Sequence, residues 1–322
     1  MAKLQFFKPM LAAKVTNPAT LFYPLLASPK LDGVRATVQH GQVWSRNLKL
    51  IPNAYVQQIF GRAGLNGLDG ELVVGPPADG SAVFRRTSSA VMSVDGKPEV
   101  TFWVIDAHEL LYGVKAEHTA FHKRLVWADK LIRRARHDLP NWPIRLNNRS
   151  LVQSCLQKVP QQQIDDVEAL QRFERFCLGE GYEGICMRDP FGKYKQGRST
   201  LREGGLLKLK RFKDGEARIL GVLELLHNEN TATINALGHT ERSTHKANRT
   251  AGGTMGALHV RDLKTKVAFN IGTGFSAEER RSFWDFRDEA VGKIVRYKFL
   301  QIGMKDKPRH PVFTGLRDKR DI

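Results

Sequence analysis

Between residue 30 and about residue 110, apolar residues alternate with polar ones or come in short runs, in VRATVQ, QVWS, GELVV and TFWVIDA, and Gly, Asn or Pro bounds each run. Alternation puts every second side chain on one face of a pleated strand, so the stretch reads as sheet-rich. Helical spacing appears in two places before residue 213: Phe121, Leu125, Ala128 and Ile132 within 115–137, and Val167, Leu170, Phe173 and Cys177 within 165–178, ahead of Gly179. Strands return in EGICMRDP and GGLLKLKRF, and the composition changes at Lys213-Asp214-Gly215. Beyond it, ARILGVLELL, GALHVRD, VAFNIGTGF and KIVRYKFLQIG read as short strands between polar loops, with one helix predicted at 276–290 where Ser276 and Glu279 have capping-box spacing. The expected fold is α+β: residues 1–213 form antiparallel sheets with flanking helices, and residues 214–322 form a small β-barrel. The polar, Thr/Asn/His-rich segment 226–254 reads as a long loop, mobile or ordered only on binding.

The 322 residues suffice for two ordinary domains, and 41% apolar with 26% charged residues is the composition of a folded protein. The charge is one-sided: 51 Lys+Arg against 33 Asp+Glu leaves +18. Such a surface attracts a polyanion, nucleic acid first, because each neutralised phosphate releases counterions. Charge of this kind names a partner class and no reaction. Cys155, Cys177 and Cys186 include no CxxC pair, which excludes a disulfide framework and a cysteine-based zinc site and suits a reduced, cytoplasmic setting. The start MAKLQFFKPMLAAKV is broken by Lys8 and Pro9, too short for a signal-peptide core, and no apolar run reaches membrane-span length.

The sharpest local feature is Lys30-Leu31-Asp32-Gly33-Val34-Arg35, after a proline and before a strand. It offers a lysine at a turn, a glycine that permits close backbone approach, and a permanent guanidinium beside them. Alone, it reads better as a solvated turn lysine. It is followed in order by Ser45-Arg46-Asn47, Asp69-Gly70-Glu71-Leu72, Phe102-Trp103-Val104-Ile105-Asp106, Glu183-Gly184-Ile185-Cys186-Met187-Arg188 and Leu207-Lys208-Leu209-Lys210. In type, order and approximate spacing these six segments resemble the motifs of the covalent nucleotidyltransferase superfamily, and the chain looks like a small ATP-dependent DNA ligase of the phage and virus type. The resemblance extends to Lys8-Pro9-Met10-Leu11-Ala12 at one end, and to Ile271-Gly272-Thr273-Gly274-Phe275, Val295-Arg296-Tyr297 and PRHPVFTGLRDKRD at the other.

That resemblance implies a nucleotidyltransferase (adenylation) domain in residues 1–213 and an OB-fold DNA-binding and lid domain in residues 214–322. It implies that Lys30 attacks the α-phosphate of ATP and carries AMP as a phosphoramidate, with Lys208 and Lys210 as catalytic partners. A free lysine is protonated at neutral pH, so the pocket is expected to favour the neutral amine through crowding by Arg35, Lys208, Lys210 and a divalent metal. Glu71 is implied near the ribose, and Glu183 with Glu71 as hard oxygen ligands for Mg²⁺ or Mn²⁺. Arg46 is implied to hold AMP and the nick 5′-phosphate, and Arg35 is grouped with it for nucleotide and DNA. The 290–322 tail carries nine Lys/Arg against three Asp. Arg296, Lys298, Arg317, Lys319 and Arg320 are its implied DNA-binding residues, the last three also candidates for orienting pyrophosphate. The implied partner is nicked duplex DNA, with the enzyme acting as a monomer of phage or bacterial kind.

Some positions depart from the family pattern. Ile105 stands where an aromatic residue usually stacks on adenine, and Trp103 shares its strand face, so either one could cover the base. Arg188 replaces the usual lysine after the glutamate motif, and Ser28 stands where some phage ligases have Glu. His118 and His122 are four apart on the predicted helix but read as a solvated face, GTGF at 272–275 is too short for a dinucleotide fingerprint, and Cys186 reads as a small strand residue. An RNA ligase, an mRNA guanylyltransferase and a non-catalytic basic DNA-binding protein are the alternatives.

Overall fold

The computed structural model describes residues 6–80, 82–108, 116–146, 149–234, 240–243, 245, 248–300 and 306–317. Side chains of residues 143–152 are outside the description. The chain divides into two compact units that meet in sequence at Lys210 and Arg211.

The first unit is built on two five-stranded sheets. One runs, in spatial order, Leu156–Lys158, Val100–Ala107, Leu68–Val74, Val34–Gln39, Gln42–Ser45; its neighbours are antiparallel except for the outer pair Leu156–Lys158 and Val100–Ala107. The twofold alternation of its strands sorts the side chains. Val34, Ala36, Leu72, Phe102 and Val104 face one way into a core closed by helices Ala54–Phe60 and Phe121–Ala135. Arg35, Glu71 and Ile105, their immediate neighbours in sequence, face the other way. The second sheet runs Gln162–Ile164, Leu25–Pro29, Ile185–Arg188, Leu207–Leu209, Ala13–Lys14. Helix Val167–Gly179, capped by Asp166 accepting from the Ala169 N–H, covers its apolar face through Leu170, Phe173 and Cys177. Ser28, Cys186, Arg188 and Lys208 occupy its other face.

The second unit, expected to be a small β-barrel, is built on a five-stranded antiparallel sheet: Ala268–Ile271, Arg249–Asp262, Lys213–Asn228, Ile294–Leu300, Arg309–Leu316. Its ladder is open. The edges are bridged where the Phe313 N–H donates to the Thr273 carbonyl (2.9 Å) and the Thr273 hydroxyl donates to the Pro311 carbonyl (3.0 Å). Ile219, Leu258, Val260, Val295 and Phe313 fill the interior. Helix Ala277–Asp285 begins with the predicted capping box of Ser276 and Glu279.

Several expectations are corrected. Two helices not read from the sequence, Ala54–Phe60 and Val83–Met92, lie within the stretch read as sheet-rich. The helix read over 115–137 begins at Phe121, which leaves His118 in a preceding 3-10 turn and off the helix that carries His122. His122 is tied to the Pro190 carbonyl at 2.9 Å instead. Part of the segment read as a loop at 226–254 is strand, with Leu226, His227 and Asn228 paired to Ala251, Thr250 and Arg249, and Ala232–Ile234 beside Thr240–Arg242. Backbone hydrogen bonds build this arm, and its side chains are largely exposed, so no hydrophobic pattern marks it. Among the described residues no helix is long and apolar enough to cross a membrane.

Candidate active site

Lys30 follows the Leu25–Pro29 strand, and its N–H donates to the Gly184 carbonyl at 2.8 Å, just before the Ile185–Arg188 strand that pairs with its own. Two glycines allow this approach. A Cβ on Gly184, whose φ is +146°, would sit 2.2 Å from the Leu209 carbonyl oxygen, and one on Gly33 would sit 2.2 Å from that of Leu72. Lys30 Nζ then lies 2.7 Å from Glu183 Oε2, while Lys210 holds the other carboxylate oxygen.

A cavity of about 840 Å³, counting its open mouth, lies between the polar faces of the two sheets. Lys30, Ser28, Cys186, Arg188 and Lys208 line it from one sheet and its connections; Arg35, Glu71 and Ile105, with Arg46 after the Gln42–Ser45 strand, line it from the other. Met10, Leu11 and Ala12 also line it. Trp103 is not among the lining residues: it packs with Leu31, Val73, Val83 and Val159. Arg35 is fixed by a bidentate pair with buried Asp69 (2.6 and 2.7 Å), to which the Tyr194 hydroxyl also donates at 2.5 Å. Arg188 is anchored on buried Asp106, which pairs with fully buried Arg124 as well.

The electrostatics of the side chains bear on the charge of Lys30. Burial alone would push Lys30 down, yet the Glu183 carboxylate, with Cys186 and Glu71 behind it, outweighs burial and raises its pKa. The side chains of the site by themselves therefore hold the amine as an ammonium, whereas the neutral form was expected from Arg35, Lys208, Lys210 and a divalent metal acting together. That crowding acts on Lys208 and Lys210, which burial and their neighbouring lysines push down. Burial would raise Glu183, but Lys30 and Lys210 prevail and hold it at about 2. For Glu71 burial prevails over Lys30 and Arg35, and its carboxyl is pushed up to about 7. Burial also pushes up the Cys186 thiol, as suits a structural strand residue.

Tyr194 and His108 entered no sequence-level reading of the site, and Asp69 and Asp106 were quoted there without a role. Asp69 was the most accessible, since it shares Glu71's strand face. His108, pushed down to about 4 by burial, lies with Nε2 2.7 Å from Thr37 Oγ1 and stacks on Phe7. In the second unit, Arg317 pairs with Glu216 at 2.7 Å, Arg296 borders a shallow cavity with Asp214, Glu216 and Thr314, and Lys298 Nζ stands 6.0 Å from the Phe212 ring centroid. Lys319 and Arg320 lie outside the described residues. Among the described residues no group of three His, Cys, Asp or Glu could hold a metal ion by itself.

Residues 249–317 match the family model described as DNA ligase OB-like domain. The structure of the Chlorella virus DNA ligase-adenylate is 31% identical, with 97% of this chain and 100% of that one covered and a TM-score of 0.53. A structure from a study of Lig E DNA ligases as minimal DNA-binding scaffolds is 25% identical over 97% and 100% of the two chains, with a TM-score of 0.65. Pmar-Lig, at 21% identity and a TM-score of 0.66, shares the fold. No curated protein matches the chain by sequence.

Proposed function

The chain belongs to the ATP-dependent DNA ligases, and on that premise we propose that it seals 5′-phosphate/3′-OH nicks in duplex DNA through a lysyl-AMP on Lys30 and a DNA-adenylate. The observation that carries this reading is the gathering of Lys30, Arg35, Glu71 and Lys208 around one cavity, with Glu183 bridging Lys30 to Lys210 beside it.

Once neutral, Lys30 Nζ attacks the α-phosphorus of ATP. The N–P bond forms, the bond to the bridging oxygen breaks, and pyrophosphate leaves. Lys208, Lys210 and Arg35 place fixed positive charge beside the phosphoryl group in transit, where positioning and electrostatics supply most of the catalysis. A nick 5′-phosphate oxygen, held by Arg46, next attacks the phosphorus of the lysyl-AMP and frees Lys30. Attack by the 3′-OH on the 5′-phosphate then closes the backbone and releases AMP. Glu71 serves the ribose, and Ile105, with Trp103 behind it, covers the adenine by aliphatic contact.

Glu71 and Glu183 offer hard oxygens suited to Mg²⁺ or Mn²⁺, which would arrive with the nucleotide and neutralise phosphate charge. Residues 1–213 serve as the adenylation domain. Residues 214–322 serve as the DNA-gripping lid, with Arg296, Lys298, Arg317, Lys319 and Arg320 on phosphates. The enzyme works as a monomer on nicked duplex.

The test is sealing of an end-labelled nicked duplex with purified protein, ATP and Mg²⁺. Joined strands from a DNA nick are expected with ATP and not with GTP. Joining confined to RNA ends, or GMP transfer, would move the chain to a sister activity.

A further inference from the structure

Tyr194 lies in the connection after the Ile185–Arg188 strand and is 2% exposed. Its hydroxyl makes two contacts: it donates to Asp69 Oδ2 at 2.5 Å and accepts from the Met10 N–H at 3.1 Å. Asp69 is the fully buried carboxylate that grips Arg35 with two hydrogen bonds. Met10 begins the stretch Met10–Ala12, and both that stretch and Arg35 line the cavity. We propose that Tyr194 is a positioning residue that ties the N-terminal wall of the cavity to the Arg35 guanidinium, so that docking of the N-terminal segment and aim of Arg35 are set together. This rests on the reading of the cavity as the ATP site.

The rest of the segment is held in the same manner. The Gln39 side-chain amide accepts from the Phe7 N–H at 2.7 Å and donates to the Phe7 carbonyl at 2.9 Å, and Gln196 Oε1 accepts from the Lys8 N–H at 3.0 Å. Phe7 meets the Tyr194 ring edge-on at 5.1 Å, and Arg124 lies 5.4 Å from the ring centroid on the side of the Asp106 pair. Three side chains thus fix the backbone of residues 7–10 before it becomes the cavity wall. Burial and the Asp69 charge raise the phenol well above its ordinary range, so it keeps its proton. One O–H directed at a carboxylate leaves a lone pair for one N–H, and a hydroxyl fills both roles where a plain ring fills neither.

Tyr194→Phe keeps the ring and its packing and removes the hydroxyl alone. Self-adenylation is measured on wild type and variant, with rates taken per enzyme able to form the adenylate. The expected result is an ATP KM raised about fivefold and a maximal rate lowered about tenfold. In an Arg35→Lys background the same change should cost less than about twofold, because the two residues act as one unit. A purely structural role would lower the melting temperature and leave KM at the wild-type value. Wild-type KM and rate in Tyr194→Phe, or an undiminished loss in the Arg35→Lys background, would overturn the proposal. Absence of adenylation by the wild type would instead overturn the assignment of the cavity to ATP, so the two failures are distinguishable.

Discussion

Lys30 Nζ and Glu183 Oε2 stand 2.7 Å apart, so the proposed nucleophile is clamped as an ammonium by the carboxylate beside it. An ammonium has no lone pair with which to attack phosphorus. The pair therefore has to loosen before chemistry, and Glu183 sets how readily Lys30 loses its proton.

Self-adenylation should rise with pH as Lys30 deprotonates. In Glu183→Gln the raising charge is gone while burial still lowers the amine, so the inflection should move to lower pH by about one unit or more, even as the maximal rate falls. The check is the rate of enzyme–AMP formation from roughly pH 6 to 11, over which the wild type should still be climbing where the variant has begun to level off. An inflection that stays in place would show that Glu183 does not control the charge on Lys30.

Glu71 carries the opposite cost. Its carboxyl, ordinarily at 4.5, is pushed up to about 7 by burial. A folded value above the unfolded one means that stability present below pH 4.5 is lost as pH rises towards 7 and stays lost above it. Glu71→Gln should therefore raise stability above pH 7 by up to about 3 kcal/mol, with no gain near pH 4, while adenylation falls. Denaturant titrations at the two pH values check the sign.

Gly184→Ala places a methyl group 2.2 Å from the Leu209 carbonyl and forces a side chain onto a φ of +146°. The expected cost is about 3 kcal/mol or more, together with loss of adenylation, because the same turn brings Glu183 to Lys30. The comparison is Gly179→Ala, where a Cβ would meet nothing within 4 Å.

The legible parts of the sequence were those with a short-range cause. Strand alternation at Val34–Gln39 and Val100–Ala107, the Ser276 and Glu279 capping pair, and the order of the charged motifs could all be read from neighbours in the chain. Helix Val83–Met92 was missed although Val83, Thr87 and Val91 form its buried stripe, because a threonine broke the apolar pattern. The partnerships that fix the site were out of reach for a different reason. Asp69 and Tyr194 are 125 residues apart, Arg188 and Asp106 are 82 apart, and no periodicity links them. The cationic neighbours of Lys30 were visible in sequence, whereas its 2.7 Å contact with Glu183 joins residues far apart in the chain and was not.

With a net charge of +18, binding to nicked duplex should weaken steeply with salt, with a log–log slope corresponding to several phosphates. Self-labelling by ATP should weaken much less, since the cavity cations are local and less screened. Titrations at several ionic strengths check both, and a flat response for DNA would contradict the role given to the basic surface.

The most direct measurement of the central claim is incubation with ATP labelled at the α-phosphate. Wild-type protein should acquire an acid-labile covalent label, while Lys30→Ala and Lys30→Arg, both folded as judged by their melting temperatures, should acquire none, since guanidinium cannot shed its proton to act as a nucleophile. Labelling of either variant at the wild-type level would contradict the assignment of Lys30, and with it the mechanism built around the cavity.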